Sequence, residues 1–65
     1  MARDYTEGEW SIWQFSRNML FLRRKGDDRT FYKELKVMRW LTDDELAKEL
    51  DYRMGFRLVE KEVTR

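Results

Sequence analysis

Residues 6–26 read TEGEWSIWQFSRNMLFLRRKG, and the period assigned to this stretch decides the fold. Thr6 is followed three residues later by Glu9, the spacing of a capping box in which each side chain satisfies an orphaned backbone donor. A helix from about Glu7 to Arg24 then ends at Gly26, with acidic residues in its first turn and Arg23, Arg24 and Lys25 in its last, as the helix dipole favours. At 100° per residue, Ile12, Phe15, Met19 and Leu22 form a core stripe at spacings of three, four and three. Trp10, Trp13, Leu20 and Phe21 form a second apolar group that encloses Arg17 and Arg24. Only Ser11, Gln14 and Asn18 make a polar strip.

A three-helix domain covers one face of each helix and hardly two. The second group is therefore expected either to complete the core under arginine stems or to meet a partner. Tryptophan and arginine dominate binding hot spots because they combine large desolvated area with directed polar contacts. The expected partner-binding face is Trp10, Trp13, Arg17, Leu20, Phe21 and Arg24. Its partner would be a larger protein or a second copy of the chain as a homo-oligomer.

Further along, Gly26-Asp27-Asp28 is a turn, and Arg29 to Leu41 reads as a second helix with Phe31, Leu35, Met38 and Leu41 on one face. Thr42-Asp43-Asp44-Glu45 is a second capping box. It opens a third helix that runs to about Met54, with Leu46, Ala47, Leu50 and Met54 inward. Beyond Gly55, Phe56, Val59 and Val63 fit a helical spacing and Phe56 with Leu58 a strand; the reading leans to a short helix. The expectation is a single all-α domain over residues 1–65, with three helices and a short fourth element, helix or strand, at the C-terminus.

Charged residues make up 42% of the 65, yet the formal net charge is +1. Cysteine and histidine are both absent. That removes disulfides, thiolate metal sites and the commonest neutral-nitrogen ligand and acid–base group. No EF-hand-like spacing and no glycine-rich phosphate loop occur, so no metal, no cofactor and no catalytic residue is expected, and the chain reads as a non-enzyme. The start MARDYTEGEW shows no basic segment followed by an apolar run, and no stretch approaches a membrane span. A cytoplasmic location without membrane contact is the default expectation.

The small net charge hides segregation. From Arg17 to Arg39 there are eight basic residues against three acidic, and from Thr42 to Tyr52 five acidic against one basic. Arg23, Lys25, Arg29, Lys33 and Lys36, with Arg24 and Arg39, could track phosphates beside Tyr32 or Trp40, or steer an acidic partner. The alternative function is thus a DNA- or RNA-binding regulator using the basic patch of residues 23–39. In addition, Leu41-Thr42-Asp43-Asp44-Glu45-Leu46-Ala47-Lys48-Glu49-Leu50 resembles the first helix of a helix-turn-helix protein, with a capping threonine, a small residue at Ala47 and flanking leucines. The resemblance implies a second, recognition helix within residues 42–63, with Tyr52, Arg53 and Arg57 facing the groove. Asp51 stands where that family usually has glycine, and Arg57 and Glu60 occupy its inward positions.

The leading expectation is a small non-catalytic protein-binding module: an adaptor, an inhibitor or a small subunit of an assembly. In size and style it resembles phage-encoded proteins that seize a host protein.

Overall fold

The structure, a computed structural model, describes residues 3–59. It overturns the all-α expectation. The first half of the chain forms β1 (Arg3–Glu7), β2 (Trp10–Ser16), β3 (Met19–Arg24) and β4 (Thr30–Glu34). The helix α1 (Asp43–Tyr52) and the short β5 (Arg57–Leu58) follow. The strands make one antiparallel sheet in sequence order, β1-β2-β3-β4-β5, so every neighbour in the sheet is the next strand in the chain.

Local chemistry explains why strands win. Gly8 has φ +62° at the first central position of the two-residue turn between Glu7 and Trp10, a place where glycine sets a hairpin. The threonine-to-glutamate spacing read as a capping box instead straddles that turn: Thr6 lies in β1 beside Ser11 of β2, their hydroxyls 3.4 Å apart. Arg17 and Asn18 turn the chain between Ser16 and Met19, with a bulge at Phe15. At Gly26, φ +84° and the bond from the Asp27 amide to the Arg24 carbonyl (3.0 Å) close a third turn. The Asp27 carboxylate then accepts from the Arg29 amide and side chain, an Asx turn that replaces the expected second helix start. Between these turns the sequence is rich in aromatic and β-branched residues, which suit a pleated surface.

The strands bury one face under α1. Ile12, Leu20, Leu22, Leu35, Leu41, Leu46 and Leu50 form the core, with Tyr5, Trp10, Phe31 and Phe56 packed against it. Burying such an aliphatic side chain contributes about 1.5–3 kcal/mol. Leu35 and Leu41 reach the core from β4's end and an irregular segment rather than from a helix, and Met38, expected beside them, is exposed.

The third helix was legible. Thr42 caps α1 with the full capping box: its hydroxyl accepts from the Glu45 amide, and the Glu45 carboxylate accepts from the Thr42 amide. Leu46 and Leu50 point inward as expected, while Met54 lies exposed beyond the helix. The helix stops at Arg53, whose φ of +51° lets its amide close on the Glu49 carbonyl. No recognition helix follows through residue 59. Residues 56–59 instead bring Phe56 to the core and Arg57–Leu58 to β4, which removes the helix-turn-helix reading for the described residues. Val63 and the rest of 60–63 lie outside them, as does the proposed helical continuation there.

One polar side chain ties the irregular segment to the sheet. Gln14 of β2 is fully buried. Its Nε2 donates to the carbonyls of Arg17 (3.1 Å) and Arg39 (2.7 Å), and its Oε1 accepts from the Leu41 amide (2.8 Å). A buried amide is retained at low cost only when its bonds are made, and all three here go to backbone.

Candidate partner-binding face

Alternation along β2 and β3 sends successive side chains to opposite sides of the sheet. Trp10, Ile12 and Gln14, opposite Arg24, Leu22 and Leu20, face α1. Ser11, Trp13 and Phe15, with Met19, Phe21 and Arg23, face the other way. The cross-strand registers continue this outer face as one row: Asp4 on β1, Trp13 on β2, Phe21 on β3, Tyr32 on β4 and Arg57 on β5.

The row is an ordered aromatic cluster. Trp13 stacks on Phe21 with ring centroids 5.6 Å apart and planes at 23°, and Phe15 meets Phe21 edge-on at 6.1 Å and 79°. Each such pair contributes about 0.5–1.5 kcal/mol beyond the area it buries. Phe15 remains 69% exposed, while Trp13, Met19, Phe21 and Tyr32 are half-buried. No element of the described residues lies across this face.

The six residues expected on one helix face are divided by this geometry. Trp13 and Phe21 lie side by side on the outer face. Leu20 is wholly buried in the core and has no surface to offer. Trp10 lies on the helix-facing side, where the guanidinium of Arg53 stands 4.5 Å and that of Arg24 5.8 Å from its ring centroid. It thereby anchors the end of α1. Arg24 also pairs with Glu9 at 3.0 Å, and Arg17 is exposed in the β2–β3 turn. Phe15 and Met19, expected in the core stripe, and Tyr32, expected only beside the basic patch, belong to the outer face instead. Period-two alternation places Phe15 with Trp13, and Met19 with Phe21.

The basic patch is also redistributed, because residues 29–36 do not form a helix. Arg29 is held by Asp27 at 2.8 Å, Lys33 by Glu49 at 2.7 Å, and Arg39 by Glu45. Lys33 points to the helix side, with its ammonium 5.8 Å from the Phe56 ring centroid. Arg23 donates to the Asp27 carbonyl, while Lys25 and Lys36 are exposed and in no ion pair among the described residues. Arg29 beside Asp27 lowers that carboxyl to about 2, and Arg39 beside Glu45, helped by the Thr42 amide, lowers Glu45 to about 2. An open recess of about 500 Å³ lies where the small Thr6 and Ser11 adjoin Trp13, with Arg23 and Lys25 on its rim.

Among the described residues no group of His, Cys, Asp or Glu side chains could hold a metal ion, and no helix is long and apolar enough to cross a membrane. The chain matches no protein-family model, no curated protein and no solved structure.

Proposed function

We propose that this chain is a non-catalytic protein-binding module, an adaptor, inhibitor or small assembly subunit, whose docking surface is the outer face of its sheet. The observation that carries the reading is the aromatic cluster of Trp13, Phe15, Phe21 and Tyr32 on the side of the sheet opposite α1. A contiguous aromatic face that is half-buried at Trp13, Phe21 and Tyr32 and exposed at Phe15 is the kind of apolar surface that marks interaction sites. Its rings are already ordered by their mutual contacts, which reduces the entropy lost on docking. A cytoplasmic setting belongs to the same proposal and agrees with a cysteine-free composition.

The test places a photo-crosslinking phenylalanine analogue at position 15, with a second at Lys48, exposed on α1, as control. The expected result is a discrete cross-linked species in extracts of the native host from position 15 alone, abolished by Trp13→Ser with Phe21→Ser in a chain that keeps its circular dichroism spectrum. Equal cross-linking from both positions, or none from position 15, refutes the outer face as the docking surface.

A second reading, binding of single-stranded nucleic acid, is supported by the recess that brings Trp13 together with Arg23 and Lys25. It stands behind the first because Arg24, Arg29, Lys33 and Arg39 are each held by a carboxylate. One face of Trp13 is likewise occupied by Phe21. Binding to an oligonucleotide that weakens steeply with added salt would reverse the order of the two.

A further inference from the structure

The two edges of the sheet are unlike. β5 is two residues long, whereas β1 is a five-residue strand paired, among the described residues, on one side only, without proline and without a bulge. Such an edge presents unpaired backbone groups to any strand that fits it.

The register states which groups those are. The Lys25 amide bonds the Glu9 carbonyl, so the odd-numbered residues of β2 exchange bonds with β3 and the even-numbered ones with β1. The pairs Glu7–Trp10, Tyr5–Ile12 and Arg3–Gln14 are therefore the bonded ones, consistent with the two-residue turn that closes at Glu7 and Trp10. Asp4 and Thr6 are left with their amides and carbonyls directed away from the sheet.

We propose that β1 is a self-recognition edge, through which two copies of the chain pair antiparallel about Tyr5 and join their five-stranded sheets into one. In that register Asp4 of one copy faces Thr6 of the other, twice. The outward amides and carbonyls at both positions then make four backbone bonds. Tyr5 faces its own counterpart across the two-fold axis, in a non-bonded pair where side chains approach most closely. Arg3 faces Glu7, an opposite-charge pair that also occurs twice. Among the described residues Arg3 donates through Nη2 to Asp43, and its side chain, 35% exposed, keeps Nη1 for a second carboxylate. Glu7 is exposed and in no ion pair among the described residues. The sequence Arg3-Asp4-Tyr5-Thr6-Glu7 is thus complementary to itself when reversed, in charge at its ends and in hydrogen-bonding parity at its centre. A second copy is the occupant that satisfies both. This pairing uses the sheet edge and stands whether or not the outer face binds a foreign protein.

The experiment is sedimentation of the purified chain from about 10 μM to about 1 mM, a range that covers weak to moderate dimers. A monomer–dimer equilibrium is expected. Thr6→Pro removes an outward amide from each copy without touching the β1–β2 ladder, and proline is tolerated on an edge strand. It should raise the dimer dissociation constant at least ~10-fold, since two of the four backbone bonds are lost. Glu7→Arg places like charges opposite Arg3 and should also weaken the dimer, while Glu7→Asp, which keeps the opposite charge and leaves the Arg3–Asp43 pair untouched, should not. A chain that stays monomeric throughout overturns the proposal. So does a dimer indifferent to Thr6→Pro or Glu7→Arg, or one lost instead on Phe15→Ser. If Thr6→Pro unfolds, the contrast between Glu7→Arg and Glu7→Asp decides alone.

Discussion

Replacing Gln14 with methionine keeps the length and nearly the volume of the side chain while deleting the amide that makes three bonds to backbone. Each bond contributes about 1 kcal/mol net. The Leu41 amide, bonded inside the core, would be left without an acceptor, which carries a penalty of about 1–3 kcal/mol. The bonds to the Arg17 and Arg39 carbonyls are only part-buried, so their loss costs less than that at the Leu41 amide. The added apolar atoms recover about 1 kcal/mol of burial. The balance is a loss of about 2–3 kcal/mol, from a total of about 3–10 kcal/mol for a chain of this length. At about 4–8 °C per kcal/mol the midpoint should fall by roughly 10–20 °C. Thermal unfolding followed by far-ultraviolet circular dichroism measures the midpoint, and urea unfolding followed by tryptophan fluorescence measures the free-energy loss. Gln14→Glu sharpens the test. Its introduced carboxylate would face the carbonyls of Arg17 and Arg39, so the folded state holds it protonated with a raised pKa. The unfolded chain ionises near its ordinary value of about 4.3, and the destabilisation therefore grows as pH rises above that value. If Gln14→Met changes stability by less than about 0.5 kcal/mol, or if Gln14→Glu is no worse at pH 7 than at pH 4, the clip does not hold the segment as described.

Thr42→Ala removes the hydroxyl that caps α1 and should cost about 1 kcal/mol in urea unfolding, with Thr42→Ser close to wild type; equal loss for both would contradict a capping role. Gly8→Ala places a side chain at φ +62° where nothing crowds it, so the loss, about 1 kcal/mol, is purely conformational, and Gly8→Asn should lose less. Asp27 and Glu45 are both lowered to about 2 in the folded chain from ordinary values of 3.8 and 4.5. Protonation therefore favours unfolding: their stabilisation is complete above about pH 4.5 and is lost as pH falls toward 2. Thermal unfolding between pH 5 and 2 should show this decline, shallower in Glu45→Gln; a flat profile would contradict the Arg39 and Arg29 pairings.

Legibility in the sequence divides at Thr42. The helix α1 could be read because its signal is single-valued: a capping box opens it, and Leu46 and Leu50 recur at helical spacing above an otherwise polar sequence. Residues 10–22 carry no such signal, because both faces of β2 and β3 are apolar. With Trp13, Phe15, Met19 and Phe21 on one side and Trp10, Ile12, Leu20 and Leu22 on the other, period two leaves no polar–apolar contrast, and stripes of three and four can be drawn through the same letters. The contrary signs lay in the punctuation. Gly8, Arg17-Asn18 and Gly26-Asp27-Asp28 recur at about the interval of short hairpins, among residues of high strand preference. Of the expected contact residues, Trp13 and Phe21 kept their association because they are cross-strand partners. Leu20 did not, since one step along a strand reverses the side on which a residue lies.

The strand order of the sheet has a consequence for how the chain folds. Each of the first three ladders closes from its own short turn, so β1 to β4 can assemble as successive hairpins with little loop entropy to overcome. The longer-range closures bring the second half of the chain back: Gln14 to Arg39 and Leu41, Arg3 to Asp43, and β5 to β4 through Phe31 and Leu58. Docking of α1 and pairing of β5 are then expected to follow the hairpins. Hydrogen exchange should show the amides of α1 opening at lower free energy than those shared by β2 and β3, so that the aromatic face forms first and survives longest.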